Sequence, residues 1–110
     1  MEYRSSSGGI CGQWPAGPEP LVSPLSAQGA GPVLVLGATA DVVTPIGSAE
    51  FLRDELVDAA MVYVDSDVHV SYNVSGAPEH RCATAYVDRF LFDLERPPDG
   101  TVCATGQGAD

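Results

Sequence analysis

The chain has 110 residues, 45% of them hydrophobic, which is at most one domain and an ordinary globular proportion rather than that of a disordered chain. Fifteen acidic residues against five arginines, with no lysine, give a formal charge of -10, which argues against a nucleic-acid backbone or an anionic membrane surface as partner. No apolar run approaches the roughly 20 residues needed to span a bilayer, and the polar start MEYRSSSGG has no signal-peptide core.

Residues 1–31 are rich in glycine and proline and show no periodicity of either kind, which reads as loop or linker entering a core. Within them Cys11-Gly12-Gln13-Trp14-Pro15 is the one sticky piece, because a lone tryptophan is costly to leave in water. It reads as an aromatic anchor on a neighbouring segment, or as part of a substrate cleft.

From Pro32 to Leu36 an apolar run gives way to Gly37, Ala38, Thr39, Ala40 and Asp41, which reads as a buried strand feeding a loop. Val33, Leu34, Val35 and Leu36 do not alternate with polar residues, so both faces of the strand are expected to be covered, as in a parallel sheet flanked by helices. Parallel strands need a crossover, and a helix over about 46–57 follows, with Thr44 as cap, Pro45 at its first position and Ala49, Leu52 and Leu56 at helical spacing. Ala60-Met61-Val62-Tyr63-Val64 is the second strand, which completes a strand–helix–strand unit. In such sheets ligands and catalytic groups gather past the carboxyl ends of strands. Asp41 after the first strand and His69 after the second are therefore expected on one edge.

A last helix is expected over about 79–94, with Ala83, Val87, Phe90 and Leu94 on one stripe widened by Tyr86 and Leu91, and His80 exposed at its start. Arg96-Pro97-Pro98-Asp99-Gly100 ends it, and Cys103 returns the chain towards Cys82. Three cysteines, Cys11, Cys82 and Cys103, fit no zinc spacing, so one disulfide and a leftover thiol is the better reading.

Three chemistries compete for the polar residues. An acid after one strand and a histidine after the next can orient and charge-stabilise an imidazole acting as general base. No GxSxG elbow supplies a nucleophile, and Ser5 to Ser7 in loop and Ser48 inside a helix are not credible ones. Asp65, Asp67 and His69 would share a face and could hold a metal if the strand continued that far, the plainer reading being a solvated acidic loop. VLVLGATAD also looks like the opening of a dinucleotide-binding fold, but the second and third glycines are missing and Asp41 would point a negative charge at a phosphate. Asn73-Val74-Ser75 is a formal glycosylation sequon.

Four pieces in order carry a resemblance: Ile10-Cys11-x-x-Trp14-Pro15, the strand PVLVLGATADVVTP with its acid followed by Thr-Pro, the histidine loop at 69, and the ending CATAYVDRFLFDLERPPDGTVC from Cys82 to Cys103. Together they resemble the C-terminal part of α/β-hydrolases of the tripeptidyl-aminopeptidase-like family, secreted bacterial serine peptidases, over about residues 10–104. The resemblance implies that Asp41 is the triad acid, His69 the triad base and Cys82–Cys103 a disulfide, with no cofactor and no metal. It also implies that the nucleophilic serine, the oxyanion hole and the first six strands lie in a hydrolase part outside this chain. The expected chain is then an α/β segment at 32–104, built on the last two parallel strands of the fold, with 105–110 as a flexible tail. It is expected to be secreted or held in the cell envelope, to act on peptide substrates only when joined to the missing part, and to be inactive alone. The rival expectation is a non-catalytic partner that docks through an exposed sheet edge, since two strands leave Val33, Val35, Met61, Val62 and Val64 with few neighbours.

Overall fold

A computed structural model describes residues 25–106, together with residues 12, 13, 15 and 17. Expectations that fall on the rest, Cys11, Trp14 and the last four residues of the tail among them, lie outside the described residues. The described chain is an α/β unit in the order β1 (Val33–Ala38), α1 (Ile46–Glu55), β2 (Ala59–Val64), α2 (Pro78–Asp93) and β3 (Thr101–Cys103). The three strands form one sheet in the order β1-β2-β3, parallel throughout. Both expected strands and both expected helices are present. A third strand joins them: the three residues Thr101–Cys103 are too short and too mixed to be legible by periodicity, and they pair with Val62 to Val64.

That extra strand moves the centre of the fold from β1 to β2. With neighbours on both sides, β2 carries Ala60, Met61, Val62 and Val64 at full burial. β1 lies at the sheet's edge among the described residues, and only Val35 and Ala38 in it are buried. The expectation that both faces of β1 are covered therefore holds only in part. The core proper joins Val62, Val64, Cys82, Ala83 and Cys103, with Leu34, Leu36 and Tyr86 packed against it.

β1 also runs two residues further than its apolar run, through Gly37 and Ala38. The glycine stands at a close approach: a Cβ would lie 2.6 Å from Ile46 Cδ1, 2.9 Å from Met61 Cε and 3.1 Å from Ala49 Cβ. Gly37 thus lets α1 lie down on the sheet. α1 begins at Ile46 with Pro45 in the capping position and no side-chain cap, so Thr44 does not cap it; the Thr44 hydroxyl is taken by Asp41. α1 buries no residue fully, and Leu52 is exposed.

In α2 the buried residues are His80, Cys82 and Ala83 at its start. Leu91 and Leu94 are exposed, which corrects the far end of the expected stripe, because Leu94 adopts a left-handed conformation (φ 58°) that ends the helix before it can face the core. Beyond it Asp99 holds the return of the chain. One carboxylate oxygen accepts the Met61 amide at 2.9 Å and Arg53 at 3.3 Å, while the Gly100 amide donates to the Met61 carbonyl at 2.9 Å. Asp99 and Gly100 so extend the pairing of β2 below β3, with Gly100 at a φ of 87° that favours glycine.

Cys82 and Cys103 are bonded, with Cα atoms 5.7 Å apart, and the bond fastens the first turns of α2 to β3 across 21 residues of sequence. In the chain-entropy account a closed loop of that size contributes about 3 kcal/mol by restricting the unfolded chain. Replacing Cys103 by Ala should lower stability to urea by about that amount. Gly37→Val should cost about 1–3 kcal/mol, because Ile46 and Met61 must leave their rotamers and Ala49 cannot move aside. Equilibrium urea unfolding of the variants and the parent measures both; an unchanged midpoint for Gly37→Val contradicts the close packing of α1 on β1.

Candidate active site: an acid and a histidine held between two strand ends

β1 and β2 pair in register from Val33↔Ala59 to Ala38↔Val64, so the two strands end level. The ladder continues past their ends into the loops. The Thr39 amide donates to the Val64 carbonyl at 2.9 Å, the Ala40 amide to the Ser66 carbonyl at 3.0 Å, and the Thr39 hydroxyl to Asp65 at 3.1 Å. The loop after β1 is therefore laced to the loop after β2 before either reaches Asp41 or His69. Asp41 and His69 stand on the same sheet edge, with Asp41 Oδ2 2.9 Å from His69 Nδ1.

The Asp41 carboxylate is fully engaged. Oδ1 accepts the amides of Val43 at 2.8 Å and Thr44 at 3.0 Å, the turn an aspartate makes with the backbone two and three residues on. Oδ2 accepts the Thr44 hydroxyl at 2.8 Å and the imidazole. A carboxylate offers about four acceptor positions, and here all are used. Burial alone would raise the Asp41 pKa, but the Thr44 amide, His69, the Val43 amide and the Thr44 hydroxyl together outweigh it and hold the carboxyl well below the usual carboxylate range. An ionised carboxylate can only accept, so Nδ1 of His69 carries a proton, and in the neutral ring the lone pair sits on Nε2. The Asp41 side chain is only 3% exposed and that of His69 is 50% exposed. Among the described residues no hydrogen bond reaches Nε2. An anchored acid, a fixed tautomer and an open basic nitrogen are the elements of a general base, able to take a proton from a group presented to Nε2.

A shallow cavity of about 90 Å³ lies beside the pair, bounded by Leu36, Ala38, Pro45, Ala49 and Ser71 among others. That is room for a few waters, far below the several hundred Å³ of an ordinary small-molecule site. The alternation that would bring Asp65, Asp67 and His69 to one face does not apply, because β2 stops at Val64; Asp65 takes the Thr39 hydroxyl and His69 turns to Asp41. Among the described residues no group of three metal-binding side chains is gathered.

Two residues near the pair depart from what their type suggests, and a sequence signal exists for each. Thr44, three residues after Asp41, has the spacing at which a hydroxyl and its own amide return to an aspartate, and that is where it is used rather than as a helix cap. His80, expected at the surface, is 2% exposed. It precedes Ala83 by three residues and Val87 by seven, so helical phase puts it on the apolar stripe, and Ser66 and Ser75 satisfy its two nitrogens there.

A carboxyl whose pKa is lower in the folded state contributes stability above its unfolded value, near 4, and loses it as pH falls towards the folded value. Asp41 is in that position, and so is Asp99, lowered first by the Met61 amide and then by Arg53 against the opposing effect of burial. The melting temperature should hold from pH 7 to about 5 and decline between about pH 4 and 2, and Asp41→Asn should flatten that decline while lowering the plateau. Thermal scans across this range decide it; an identical acid slope in Asp41→Asn would show that the carboxylate is not held as described.

The sequence model of the TAP-like protein family matches residues 1–103, nearly the whole chain. No curated protein and no solved structure matches the chain significantly. Three parallel strands with their flanking helices, and a family match of this extent, agree on one assignment: the chain belongs to the TAP-like protein family and has the α/β architecture of a C-terminal α/β-hydrolase segment.

Proposed function

We propose that the chain is the acid–base end of a serine hydrolase, with Asp41 as triad acid and His69 as general base, and with the nucleophilic serine on a hydrolase part that packs against this one. The observation that carries the reading is the 2.9 Å contact of a saturated, buried Asp41 with a His69 whose Nε2 stays open. In the proposed reaction Nε2 takes the proton of the serine hydroxyl as it attacks a peptide carbonyl, and later returns it to the leaving amine. Asp41 stabilises the imidazolium formed in between and keeps Nδ1 as the donor. The substrate class is peptidic, and release of short peptides from an N-terminus is the activity inferred from the family resemblance.

Two further observations fit a chain that works against another part. The cavity beside the pair is too small to seat a peptide, so most of the substrate surface is supplied from elsewhere. Val42, Val43, Val68 and Val70, each within two residues of Asp41 or His69, are exposed, Val42 at 90%, and offer apolar surface suited to being covered. A secreted or envelope location is the companion proposal. The Cys82–Cys103 bond supports it, since disulfides persist in oxidising compartments. Among the described residues no helix is long and apolar enough to cross a membrane.

A second reading has support in the edge position of β1: a non-catalytic module that docks through that strand. The two readings part on one experiment. The chain is joined, covalently or in trans, to a hydrolase part bearing a GxSxG serine, and hydrolysis of a chromogenic peptide is followed. His69→Ala should lower kcat by about 10³-fold or more, and Asp41→Asn by about 10²–10⁴-fold. The chain by itself should not hydrolyse the substrate. Full activity in His69→Ala would remove the catalytic reading and leave the docking module.

A further inference from the structure

His80 plays no part in the chemistry above, yet it is among the most completely buried polar side chains described, and both of its ring nitrogens are engaged. Nδ1 lies 2.6 Å from the Ser75 hydroxyl and Nε2 3.1 Å from the Ser66 hydroxyl. These serines are the two ends of the loop that carries His69. Each hydroxyl also holds a backbone amide, Ser66 Oγ accepting that of Val68 at 3.1 Å and Ser75 Oγ that of Ala77 at 3.3 Å. The Ser66 carbonyl in turn accepts the Ala40 amide, next to Asp41. One residue, Ser66, therefore touches the acid loop through its backbone, the histidine loop through Val68, and α2 through His80.

The loop between β2 and α2 has no regular structure over 65–77, a length at which position depends on anchors. Between the serines it is fastened to α2 by the Asn73 amide on Thr84 at 2.9 Å and the Tyr72 hydroxyl on Asp88 at 2.8 Å, both on the far side of His69. On the near side, Ser66 is the one loop residue bonded to α2 among the described residues, and His80 is its partner there. An imidazole suits this position because its two nitrogens point apart, so one rigid ring grips two chain segments at once. Either tautomer serves, since each hydroxyl can donate to one nitrogen or accept from the other.

We propose that His80 is a positioning residue: by clamping Ser66 and Ser75 it fixes both ends of the His69 loop and so sets the Asp41–His69 hydrogen bond. Its role in catalysis rests on the reading of Asp41 and His69 given above; its role in placing His69 does not. The test uses the full 110-residue chain with ¹⁵N-labelled histidine and reads the ring nitrogens of His69 by NMR. In the parent, His69 should show the Nδ1–H tautomer imposed by Asp41. In His80→Phe, which keeps the bulk and removes both hydrogen bonds, the His69 signals should shift to the tautomer mixture of a free imidazole. The amide signals of β1 and β2 and the Cys82–Cys103 bond should stay as in the parent. Unchanged His69 signals in a folded His80→Phe would overturn the proposal. If that variant does not fold, Ser66→Ala and Ser75→Ala, which each free one loop end, decide instead: loss of the Nδ1–H tautomer in either supports the clamp, and its retention in both overturns it. In the joined enzyme His80→Phe should lower kcat at least about tenfold with KM little changed. Should His69→Ala leave hydrolysis unaffected while the NMR shift is seen, the catalytic reading falls and the clamp stands.

Discussion

The meeting of Asp41 with His69 depends on β1 and β2 ending level. A parallel ladder with evenly spaced hydrogen bonds, running from Val33↔Ala59 to Ala38↔Val64, delivers two loops to one edge at neighbouring positions. A shift of the pairing by one residue would turn Ala38 and Val64 to the opposite faces and carry Asp41 and His69 apart. The register is fixed from both sides. Below, Gly37 lets Ile46 and Ala49 settle against the sheet. Above, the Thr39 and Ala40 amides carry the ladder on to Val64 and Ser66.

The second constraint is the need to satisfy a buried carboxylate. Removing Asp41 from water would raise its pKa, and the chain offsets this with two amides, a hydroxyl and the imidazole, all but the last from within three residues. The local donors place the carboxylate; the fourth acceptor position is left for His69. Geometry and charge are thus settled by the same contacts. A carboxylate held by its own turn cannot swing away to a solvent cation, and the proton on Nδ1 has no competing acceptor of equal strength, the Thr44 hydroxyl being further off at 3.4 Å.

Much of this is legible in the sequence. The apolar runs 33–36 and 60–64 around a helix specify a parallel crossover, and a parallel crossover is enough to bring Asp41 and His69 to one edge. What periodicity cannot show is a strand of three residues, so Thr101–Cys103 escapes it, and with that strand the shift of the core from β1 to β2. Side-chain hydrogen bonds are equally invisible to propensity. Thr44 beside Pro45 has the composition of a helix cap, and the nearer carboxylate takes its hydroxyl. A histidine is polar by type, which suggests the surface for His80, whereas its phase along α2 puts it inside and two serines make that position tolerable.

The hydrogen bonds that tie the acid and the histidine into the fold join segments apart in sequence. The widest spans 28 residues, from Asp41 to His69, and those of His80 span 14 and 5. Closing a loop of that size carries an entropic cost that the packed strands on either side must repay, and parallel pairing of this kind forms slowly. The pair therefore waits on the β1–β2 ladder, because the two loops meet only where the strands end level. By fastening α2 to β3, the Cys82–Cys103 bond restricts the segment on which the histidine loop is anchored.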